Sequence, residues 1–525
     1  MILAAAHSPT DRSEQYRARG WWTGEALTDR FERLVTAAPD RLSVIDDRGV
    51  SLTRAQLWER AGAFARSLAA VGVGRGDVVV VYLPNTADWQ VVFLGVLRLG
   101  AVPASVPMTT DAETLAHICE LTSARAVVAP RRWRRHPVGE WACSALAATG
   151  RASAVGTLDD DGWHWRELRG APHAPVVPEP VNHLMFTSSA TGLPKAVMHT
   201  ADTLGSANRA FAERFALHED TGIYMPSPLG HSVGAWHGAR LSLYLGATLV
   251  LQDVWDPVRG LELVDTHRCA FTAAATPFLK DLVDADWSGP RAKLSSLKTF
   301  LCGGAPVPPV LLDQAREQAP NTFVTVLWGM TEGTGTTCTP DSTPEQLTGT
   351  AGKPVPDLEL TILDRDDTGV GELAMRGPQV FVGYLGQDEL YQSLLTEDGY
   401  FRTGDLARIG EDGYLRLAGR LKDLIIRGGV NISPVPIEDA IAAHSAVRRV
   451  AVIGQTDDRL GERIRAVIEP SGPPPTLEEL NAWLTERGLS PRMLPESLVV
   501  VDDMPVTAAG KIRKVELRRM LEERR

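Results

Sequence analysis

In the first half of the chain, short apolar runs typical of strands alternate with segments whose apolar residues recur at helical spacing. Residues 77–83 form a short β-branched run, 85–99 repeat apolar positions with helical spacing, and 101–107 form the next apolar run. The order returns as a predicted helix over 112–121 and a predicted strand over 124–129. Strands that alternate with helices predict a parallel sheet covered by helices.

A second layered unit follows, and then the pattern changes. Thr200 can cap a helix that runs to about Phe215, and the apolar runs 241–251 and 297–302 predict buried strands. From 352 to about 418, short runs broken by glycine and aspartate predict a smaller β-rich subdomain.

The last hundred or so residues predict a compact tail with helices near 434–444 and 476–487. The expected fold is therefore α/β. A large N-terminal domain over 1–420 would contain two layered αβ subdomains and the β-rich subdomain. A small, mobile α+β C-terminal domain would occupy 421–525.

Composition narrows the class of protein. The chain has 525 residues, 44% of them apolar, which is enough for more than one core. A net charge of -11 argues against general nucleic-acid binding, and no apolar run approaches membrane-spanning length. We expect a cytoplasmic protein with no nucleic-acid or membrane partner. The cysteines are scattered without a CxxC pair and are expected to be buried small hydrophobes: Cys119, Cys143, Cys269, Cys302 and Cys338.

One short turn concentrates groups that can hold phosphate. Residues 185–197 follow an apolar run and supply hydroxyl donors at Thr187, Ser188, Ser189 and Thr191. Gly192 allows close backbone approach and Lys195 adds positive charge. Lysine is scarce, with eight among 54 basic residues, and three of the eight lie in or near turn-like segments: Lys195, Lys422 and Lys511.

Further glycine-punctuated segments follow in a fixed order. Residues 301–306 end a predicted strand with two glycines, which leaves room for a flat ring. Residues 328–332 place an aromatic ring, a hydroxyl and a carboxylate together, suited to a base, a phosphate and a hard cation. In residues 399–405, a carboxylate follows a tight turn and can accept hydrogen bonds from two sugar hydroxyls. Cationic groups in 419–429 mark a domain joint, and 505–513 expose a lysine on a glycine turn.

This ordered set resembles the adenylate-forming superfamily of acyl-CoA synthetases, aryl acid ligases, peptide-synthetase adenylation domains and luciferases. The resemblance spans about 25 to 520 and includes matches at 371–377, Gly383-Tyr384 and 451–462. It implies an enzyme that uses ATP and Mg²⁺ to activate a carboxylic acid as acyl-AMP, with release of pyrophosphate. A thiol of coenzyme A or of a carrier protein's phosphopantetheine would then accept the acyl group.

The resemblance also implies roles for individual residues. The ATP site would comprise Thr187, Ser188, Ser189, Thr191, Gly192, Lys195, Gly303, Gly304, Ala305, Trp328, Gly329, Asp405 and Arg420. Thr331 would contact the α-phosphate and Glu332 would hold Mg²⁺. Lys511 would reach the substrate carboxylate from the C-terminal domain. Lys422 occupies the hinge position, and Gly428 and Gly429 would face the attacking thiol.

The acid pocket is expected around residues 228–238, 302–305 and 333–337. His231 matches a pocket-wall and catalytic position of the family, whereas His237 is more readily interpreted as a packed core histidine. The other pocket candidates combine an aromatic floor with hydroxyls: Ser232, Val233, Trp236, Thr334 and Thr336. They favour a compact aromatic or hydroxylated acid over a long fatty chain.

The chain departs from the family pattern at four positions. Ser189 and Ala196 stand where the family usually has glycine, and Ala190 replaces a hydroxyl residue. Ser189 either restores the lost hydroxyl or leaves the β- and γ-phosphates less well held. Trp328 replaces a tyrosine, which keeps a stacking surface and loses the phenol.

Other functions compete with thioester formation. The basic run 131–135 would meet an acidic carrier protein or CoA phosphates, or simply be a solvated loop. Some relatives use a different nucleophile, and a diazotase that activates nitrite for reaction with an aromatic amine also fits a small polar pocket. A catalytically inactive nucleotide-binding protein is a third reading, but retention of an intact set of functional residues argues against it: Glu332, Asp405, Arg420 and Lys511.

Overall fold

The computed structural model describes residues 10–159, 162–187, 193–304, 307–506 and 512–522. The chain divides into two compact units. Unit 1 comprises 1–359 and 376–400, and unit 2 comprises 360–375 and 401–525. Among the described residues, no helix is both long and apolar enough to cross a membrane. The domain boundary near residue 420 and its hinge stay predictions.

Unit 1 contains two mixed sheets and the helices that cover them. Its strands are β1 (Leu42–Asp46), β2 (Ser51–Thr53), β3 (Val78–Val81), β4 (Val102–Ser105), β5 (Ala126–Pro130), β6 (Ser153–Asp159), β7 (Gly162–Leu168), β8 (Val181–Thr187), β9 (Lys195–Thr200), β10 (Gly222–Met225), β11 (Leu249–Leu251), β12 (Cys269–Ala275), β13 (Thr299–Gly303), β14 (Phe323–Met330), β15 (Gly333–Thr337) and β16 (Lys353–Pro354). Its helices are α1 (Thr10–Ala18), α2 (Leu27–Ala37), α3 (Arg54–Ala70), α4 (Ala87–Arg98), α5 (Ala112–Leu121), α6 (Val138–Ala148), α7 (Ala201–Arg214), α8 (Ser232–Gly234), α9 (Leu241–Leu245), α10 (Pro257–Thr266), α11 (Thr276–Asp284), α12 (Pro309–Gln318), α13 (Pro344–Gly349) and α14 (Asp388–Ser393).

The seven-stranded sheet has the order β7-β6-β5-β3-β4-β8-β9. Its inner pairs are parallel, and β7 and β9 join antiparallel at the edges. All four residues of β3 are buried, because helices cover both faces of a parallel sheet and leave no polar face. The predicted alternation of strands and helices over 77–129 is confirmed.

The nine-stranded sheet has the order β16-β15-β14-β13-β12-β10-β11-β1-β2. It is parallel from β1 to β14, so the carboxyl ends of β13 and β14 lie at one edge of the sheet. Thr200 caps α7 as predicted: its hydroxyl accepts from the Thr203 amide, and the Thr203 hydroxyl accepts from the Thr200 amide.

The prediction of a continuous strand over 241–251 is wrong. The first part is helix α9, preceded by a π-helix over Ala235–Arg240, and only Leu249–Leu251 is a strand. This segment is buried, so helical and strand periodicities cannot be separated in its apolar run. Of the cysteines, Cys143 is half-buried rather than buried.

Unit 2 contains two smaller sheets. Its strands are β17 (Glu359–Leu363), β18 (Gly371–Arg376), β19 (Phe401–Ile409), β20 (Leu415–Arg420), β21 (Ile425–Arg427), β22 (Val430–Ile432), β23 (Val447–Asp457), β24 (Gly461–Pro470) and β25 (Ser497–Val500). The first residue of β17 and the last residue of β18 belong to unit 1. Its helices are α15 (Val435–Ala442), α16 (Leu477–Glu486) and α17 (Lys514–Glu522). One sheet has the order β17-β18-β19-β20. The other has the order β22-β21-β24-β23, with β25 beside β24. Both predicted C-terminal helices are present.

Candidate active site

The predicted phosphate-binding turn joins two antiparallel strands. Thr187 ends β8 directly opposite Lys195, the first residue of β9. Ser188, Ser189, Ala190, Thr191 and Gly192 lie outside the described residues, so their roles stay predictions. Ala196 is fully buried in the core of the seven-stranded sheet, which accommodates its methyl group where the family usually has glycine.

A buried carboxylate and a lysine meet around one tyrosine. The Tyr384 hydroxyl donates to Glu332 Oε1 at 2.6 Å, and Lys195 Nζ lies 4.1 Å from the centroid of the Tyr384 ring. Glu332 is only 4% exposed. Burial and the neighbouring carboxylate raise the pKa of Tyr384, so the phenol keeps its proton and orients Glu332.

The backbone itself holds Tyr384 against β9. Tyr384 forms an antiparallel bridge with Val197, and the Leu385 amide donates to the Ala196 carbonyl at 2.9 Å. The Met198 amide donates to the Gly383 carbonyl at 2.9 Å. The motif Gly383-Tyr384 is therefore fixed on the strand that begins at Lys195.

Thr331 is positioned by a buried histidine. His199 Nε2 lies 2.8 Å from the Thr331 carbonyl oxygen, and His199 Nδ1 lies 3.1 Å from Thr203 Oγ1. Burial lowers the pKa of His199 to about 4, so the ring is neutral. Because a carbonyl only accepts, Nε2 carries the proton and Nδ1 accepts from the threonine hydroxyl.

The ring of Trp328 lies over a glycine of the neighbouring strand. Trp328 is 6% exposed and pairs with Thr336 across β14 and β15. A Cβ atom at Gly335 would lie 1.9 Å from the Trp328 carbonyl oxygen and 2.5 Å from Trp328 Cε3. Only glycine fits there. The adjacent backbone of Gly329 is exposed.

The carboxyl end of β13 lies beside the predicted acid-binding segment. A Cβ atom at Gly303 would lie 3.6 Å from Val233 Cγ2, so the two predicted regions are neighbours. Gly304 is exposed and has a φ of +89°, a left-handed conformation that favours glycine. Ala305 lies outside the described residues.

His231 and Ser232 lie where a loop enters helix α8, and both are half-buried. The loop crosses another backbone closely: a Cβ atom at Gly230 would lie 2.2 Å from Pro107 N. His237 lies further along, buried with its ring centroid 4.2 Å from that of Phe211. That position supports the interpretation of His237 as a core residue.

Two buried polar groups of the predicted pocket lack a partner among the described residues. They are the indole Nε1 of Trp236 and the hydroxyl of Thr334. The Trp236 ring packs edge-on against His199, with 4.8 Å between centroids. By contrast, the Thr336 hydroxyl donates to the Ala351 carbonyl, so strand pairing already engages it.

In unit 2, Asp405 and Arg420 face each other across β19 and β20. Arg420 Nε lies 2.8 Å from Asp405 Oδ1, and Asp405 is 7% exposed. The Asp405 amide also donates to the Thr403 hydroxyl at 3.1 Å. The guanidinium thereby orients the carboxylate that is predicted to bind ribose.

The remaining predicted residues of unit 2 lie on short turns. Lys422 is exposed in a single 3₁₀ turn over Leu421–Asp423. Gly428 and Gly429 are exposed, with φ values of +59° and +81°. Lys511 lies outside the described residues. Close to it, Val506 and Ile512 form an antiparallel bridge, and the Arg513 amide donates to the Pro505 carbonyl at 2.8 Å.

The residues present fit a magnesium ion bound mainly through substrate. Within the described ranges, no group of three or more His, Cys, Asp or Glu side chains forms a ready-made metal site. Mg²⁺ commonly uses one or two carboxylates together with substrate phosphates. A single buried carboxylate on the same network as Lys195 meets that requirement, and Glu332 would be the protein ligand.

Sequence reasoning did not assign a site role to His199 or Tyr384. Tyr384 has a partial signal in the Gly383-Tyr384 match. His199 contacts a residue 132 positions away, and nothing in the local pattern indicates that contact.

Comparison with known proteins shows the family to which the chain belongs. The sequence profile described as "AMP-binding enzyme" matches residues 31–385, and the profile "AMP-binding enzyme C-terminal domain" matches 436–511. The medium-chain fatty-acid–CoA ligase of Escherichia coli is 30% identical over 97% of this chain and 92% of its own length. The salicyl-AMP ligase / salicyl-S-ArCP synthetase of Mycobacterium tuberculosis is 30% identical over 98% of this chain and 94% of its own.

A solved structure shows the same architecture. The amide bond synthetase McbA from Marinactinospora thermotolerans superposes with a TM-score of 0.79 at 27% identity, covering 94% of this chain and 99% of its own. The two profiles together match most of the chain, and both relatives align over nearly its whole length. The chain therefore belongs to the AMP-binding enzyme family and is an adenylate-forming ligase.

Proposed function

We propose that this enzyme activates a compact carboxylic acid bearing an aromatic ring or a hydroxyl group, and transfers the acyl group to a thiol. The observation that carries the activation step is the network of Lys195, Tyr384 and Glu332, with the Thr331 carbonyl anchored by His199. It gathers a cation, an oriented carboxylate and a fixed backbone next to the predicted phosphate-binding turn.

The first step joins two anions. A carboxylate oxygen of the acid attacks the α-phosphorus of ATP, the bond from that phosphorus to the bridging oxygen breaks, and pyrophosphate leaves. Catalysis then depends on positioning and on neutralising charge. Lys195 would bind the leaving phosphates, and the Thr331 hydroxyl would contact the α-phosphate. When bound at Glu332, Mg²⁺ would neutralise phosphate charge.

Residues of unit 2 complete the proposal through the family resemblance. Asp405, oriented by Arg420, would accept from the two ribose hydroxyls. Lys511 would supply positive charge to the carboxylate and α-phosphate region. In the second step the thiol sulfur would attack the acyl carbonyl carbon near Gly428 and Gly429, and the bond to the phosphate oxygen would break to release AMP.

The choice of acid is supported by the unpartnered buried groups of unit 1. The Trp236 indole N–H is a donor, and the Thr334 hydroxyl both donates and accepts. A fatty chain would leave both groups without hydrogen bonds, which is costly in a buried site, whereas a hydroxylated acid can satisfy them. One relative named above acts on salicylate, a hydroxylated aromatic acid.

The acceptor is proposed as coenzyme A or carrier-protein phosphopantetheine, since the relatives named above include a CoA ligase and a salicyl-S-ArCP synthetase. The basic run at 131–135 is compatible with an acidic partner. Arg132, Arg134 and Arg135 are exposed, and Arg134 lies over the Trp133 ring, 4.5 Å from its centroid.

Acid-dependent pyrophosphate exchange tests the proposal. The panel should pair each hydroxylated aromatic acid with its deoxy analogue and with a medium-chain fatty acid. We expect exchange to be fastest with a hydroxylated aromatic acid. Faster exchange with the fatty acid would contradict the proposed substrate class.

A second assay identifies the acceptor. Product formation should be followed with CoA, with a carrier protein, with an amine, and with nitrite plus an aminoarene. Thioester formation supports the proposal. AMP formation that requires nitrite and an aminoarene, with no thioester, would establish the diazotase reaction instead. Absence of exchange with every acid, together with no AMP formation from nitrite and an aminoarene, would favour a nucleotide-binding protein.

A further inference from the structure

Arg240 is a buried cation outside the network described above. It ends the π-helix Ala235–Arg240 and is 1% exposed. Its Nε and Nη1 atoms have no hydrogen-bond partner among the described residues, and Nη2 makes only a long contact of 3.4 Å to the Ala201 carbonyl. A buried guanidinium with unused donors is costly unless an acceptor reaches it.

Nearby titratable groups do not supply a counter-charge. Within the described part of the chain, no carboxylate lies within 4.0 Å of the Arg240 guanidinium. The positive charge of Arg240 contributes to lowering the pKa of both His183 and His199, although burial is the larger cause. These histidines are therefore neutral and add no further positive charge beside Arg240.

Arg240 lines a cavity of about 90 Å³ at the start of helix α7. The other charged side chains of the wall are two arginines and two acids: Glu25, Arg30, Asp202 and Arg209. With Arg240 the wall carries a net charge of +1. The positive end of the α7 dipole adds to this, because Ala201 and Asp202 of the first turn also line the cavity.

The other charged groups of the wall already have partners. Arg30 Nη1 lies 3.1 Å from Glu25 Oε2, and its guanidinium stacks 3.9 Å from the Tyr244 ring centroid. Arg209 Nη2 lies 2.9 Å from Asp357 Oδ2, and Asp202 Oδ1 accepts from the Gly24 amide at 2.8 Å. Among the described residues, Arg240 is the wall arginine without a carboxylate partner, whereas Arg209 Nη2 forms an ion pair with Asp357 although it makes no hydrogen bond.

We propose that this cavity binds a small oxyanion, a carboxylate or a tetrahedral inorganic anion, through the Arg240 guanidinium. The volume suits a molecule of a few non-hydrogen atoms, because a single water needs about 10–15 Å³ on this scale. Arginine presents its donors in a planar fork that matches paired oxygens of such anions. This site is distinct from the predicted ATP and acid residues and does not depend on the proposed function.

The test is thermal stabilisation of the full-length protein by acetate, phosphate or sulfate, with chloride holding ionic strength constant. We expect saturable stabilisation by at least one oxyanion, since a ligand that binds only the native state raises its stability. Saturation by acetate assigns a carboxylate, and saturation by phosphate or sulfate assigns a tetrahedral anion. Absence of saturable stabilisation by any of them overturns the proposal and leaves water as the occupant.

Three variants locate the binding. Arg240→Gln should weaken it roughly tenfold or more, the loss expected for a hydrogen bond to a charged group. Asp202→Asn removes a negative charge from the wall but keeps an oxygen that accepts from the Gly24 amide, so oxyanion binding should become tighter. Lys195→Ala is the matched control and should leave oxyanion binding unchanged. Loss with Lys195→Ala but not with Arg240→Gln would place the anion at the phosphate-binding turn and overturn the proposal.

A measurement on the unaltered protein covers the case in which Arg240→Gln does not fold. Crystals soaked in selenate should show an anomalous peak within hydrogen-bonding distance of the Arg240 guanidinium. Crystals soaked in bromide, which is not an oxyanion, should show no peak there. No selenate peak there, at concentrations that stabilise the protein in solution, would overturn the proposal.

Discussion

The two units hold their predicted site residues in different ways. In unit 1, Glu332 is buried and tied to Tyr384, and the Thr331 carbonyl is tied to His199; both partners are distant in sequence. In unit 2, Lys422 and Gly428 are exposed on short turns, although the Gly428 amide also donates to the Leu460 carbonyl at 2.7 Å. Buried, side-chain-fixed groups suit electrostatic preorganisation, whereas exposed turns suit a change of position.

The Asp405–Arg420 pair is an intermediate case. It belongs to unit 2 but is held as firmly as the groups of unit 1, by a 2.8 Å contact across two paired strands. The difference therefore depends on the type of contact that holds each residue and not on the unit to which it belongs. Substitutions of residues held by side-chain contacts should affect adenylation, and substitutions on exposed turns should affect acyl transfer.

Replacing Lys511 should have the largest effect. Lys511→Ala is expected to slow acid-dependent pyrophosphate exchange roughly 100- to 1,000-fold, the usual cost of losing one preorganised charge contact. ATP binding, measured by calorimetry, should be largely kept because Lys195 and Glu332 are untouched. Lys514→Ala is the control: this neighbouring lysine pairs with Glu438 at 2.7 Å and should keep its exchange activity. Unchanged exchange in Lys511→Ala would refute the role.

Replacing Lys422 should separate the two half-reactions. Lys422→Pro fixes φ in the 3₁₀ turn and removes an amide, and is expected to spare exchange while removing most thioester formation. Lys422→Ala keeps backbone freedom and should retain both. Equal losses in exchange and thioester formation for the proline variant would show that Lys422 is not a hinge.

Removing the Tyr384 hydroxyl should affect adenylation more moderately. Tyr384→Phe deletes a hydrogen bond to a buried carboxylate, which is worth about 1.5–3 kcal/mol, or roughly a 10- to 100-fold loss of exchange. The Mg²⁺ concentration needed for half-maximal exchange should rise. Tyr391→Phe serves as the control, because it removes the hydroxyl of another buried tyrosine and keeps the ring that packs edge-on against Phe381. Equal effects of the two variants would mean that Tyr384 acts through packing alone.

Replacing two buried histidines, His199 and His237, should have different effects on the rate of pyrophosphate exchange. His199→Leu loses the bond to the Thr331 carbonyl and should slow exchange about fivefold, corresponding to about 1 kcal/mol. His237→Leu should leave exchange unchanged, because His237 is a core residue that packs on Phe211. A rate loss with His237→Leu as large as that with His199→Leu would contradict the positioning role.

Both histidines should also make the fold less stable in acid. Burial lowers each pKa from 6.5 to about 4. Between pH 6.5 and about 4, these histidines bind protons in the unfolded chain but stay neutral in the native protein. The free energy of unfolding should therefore fall as pH decreases from about 6.5 to 4. Either variant should flatten this decline in denaturant titrations. An unchanged decline in both variants would contradict burial of neutral rings.

The sequence predicts those parts of the fold that depend on local pattern. The strand at 78–81 and helix α7 follow from a β-branched run and a capping threonine. The segment 241–251 does not, because its apolar run fits a helix or a strand equally well. The π-helix before it has no signal in the periodicity.

The same limit applies to the site. The resemblance indicates Glu332, but its hydrogen bond comes from a residue 52 positions away, and that of the Thr331 carbonyl from one 132 positions away. Such contacts arise from packing of distant strands. Arg240 likewise carries no sequence signal, because nothing in its local pattern indicates that the guanidinium is buried with unused donors among the described residues.

Oxygen transfer tests the central claim most directly. The acid that gives the fastest exchange should be prepared with both carboxylate oxygens as ¹⁸O, incubated with ATP, Mg²⁺ and the thiol acceptor, and the nucleotide product analysed by mass spectrometry. Attack of the carboxylate on the α-phosphorus predicts AMP carrying one ¹⁸O atom. Unlabelled AMP, or ADP as the nucleotide product, would contradict activation of the acid as acyl-AMP.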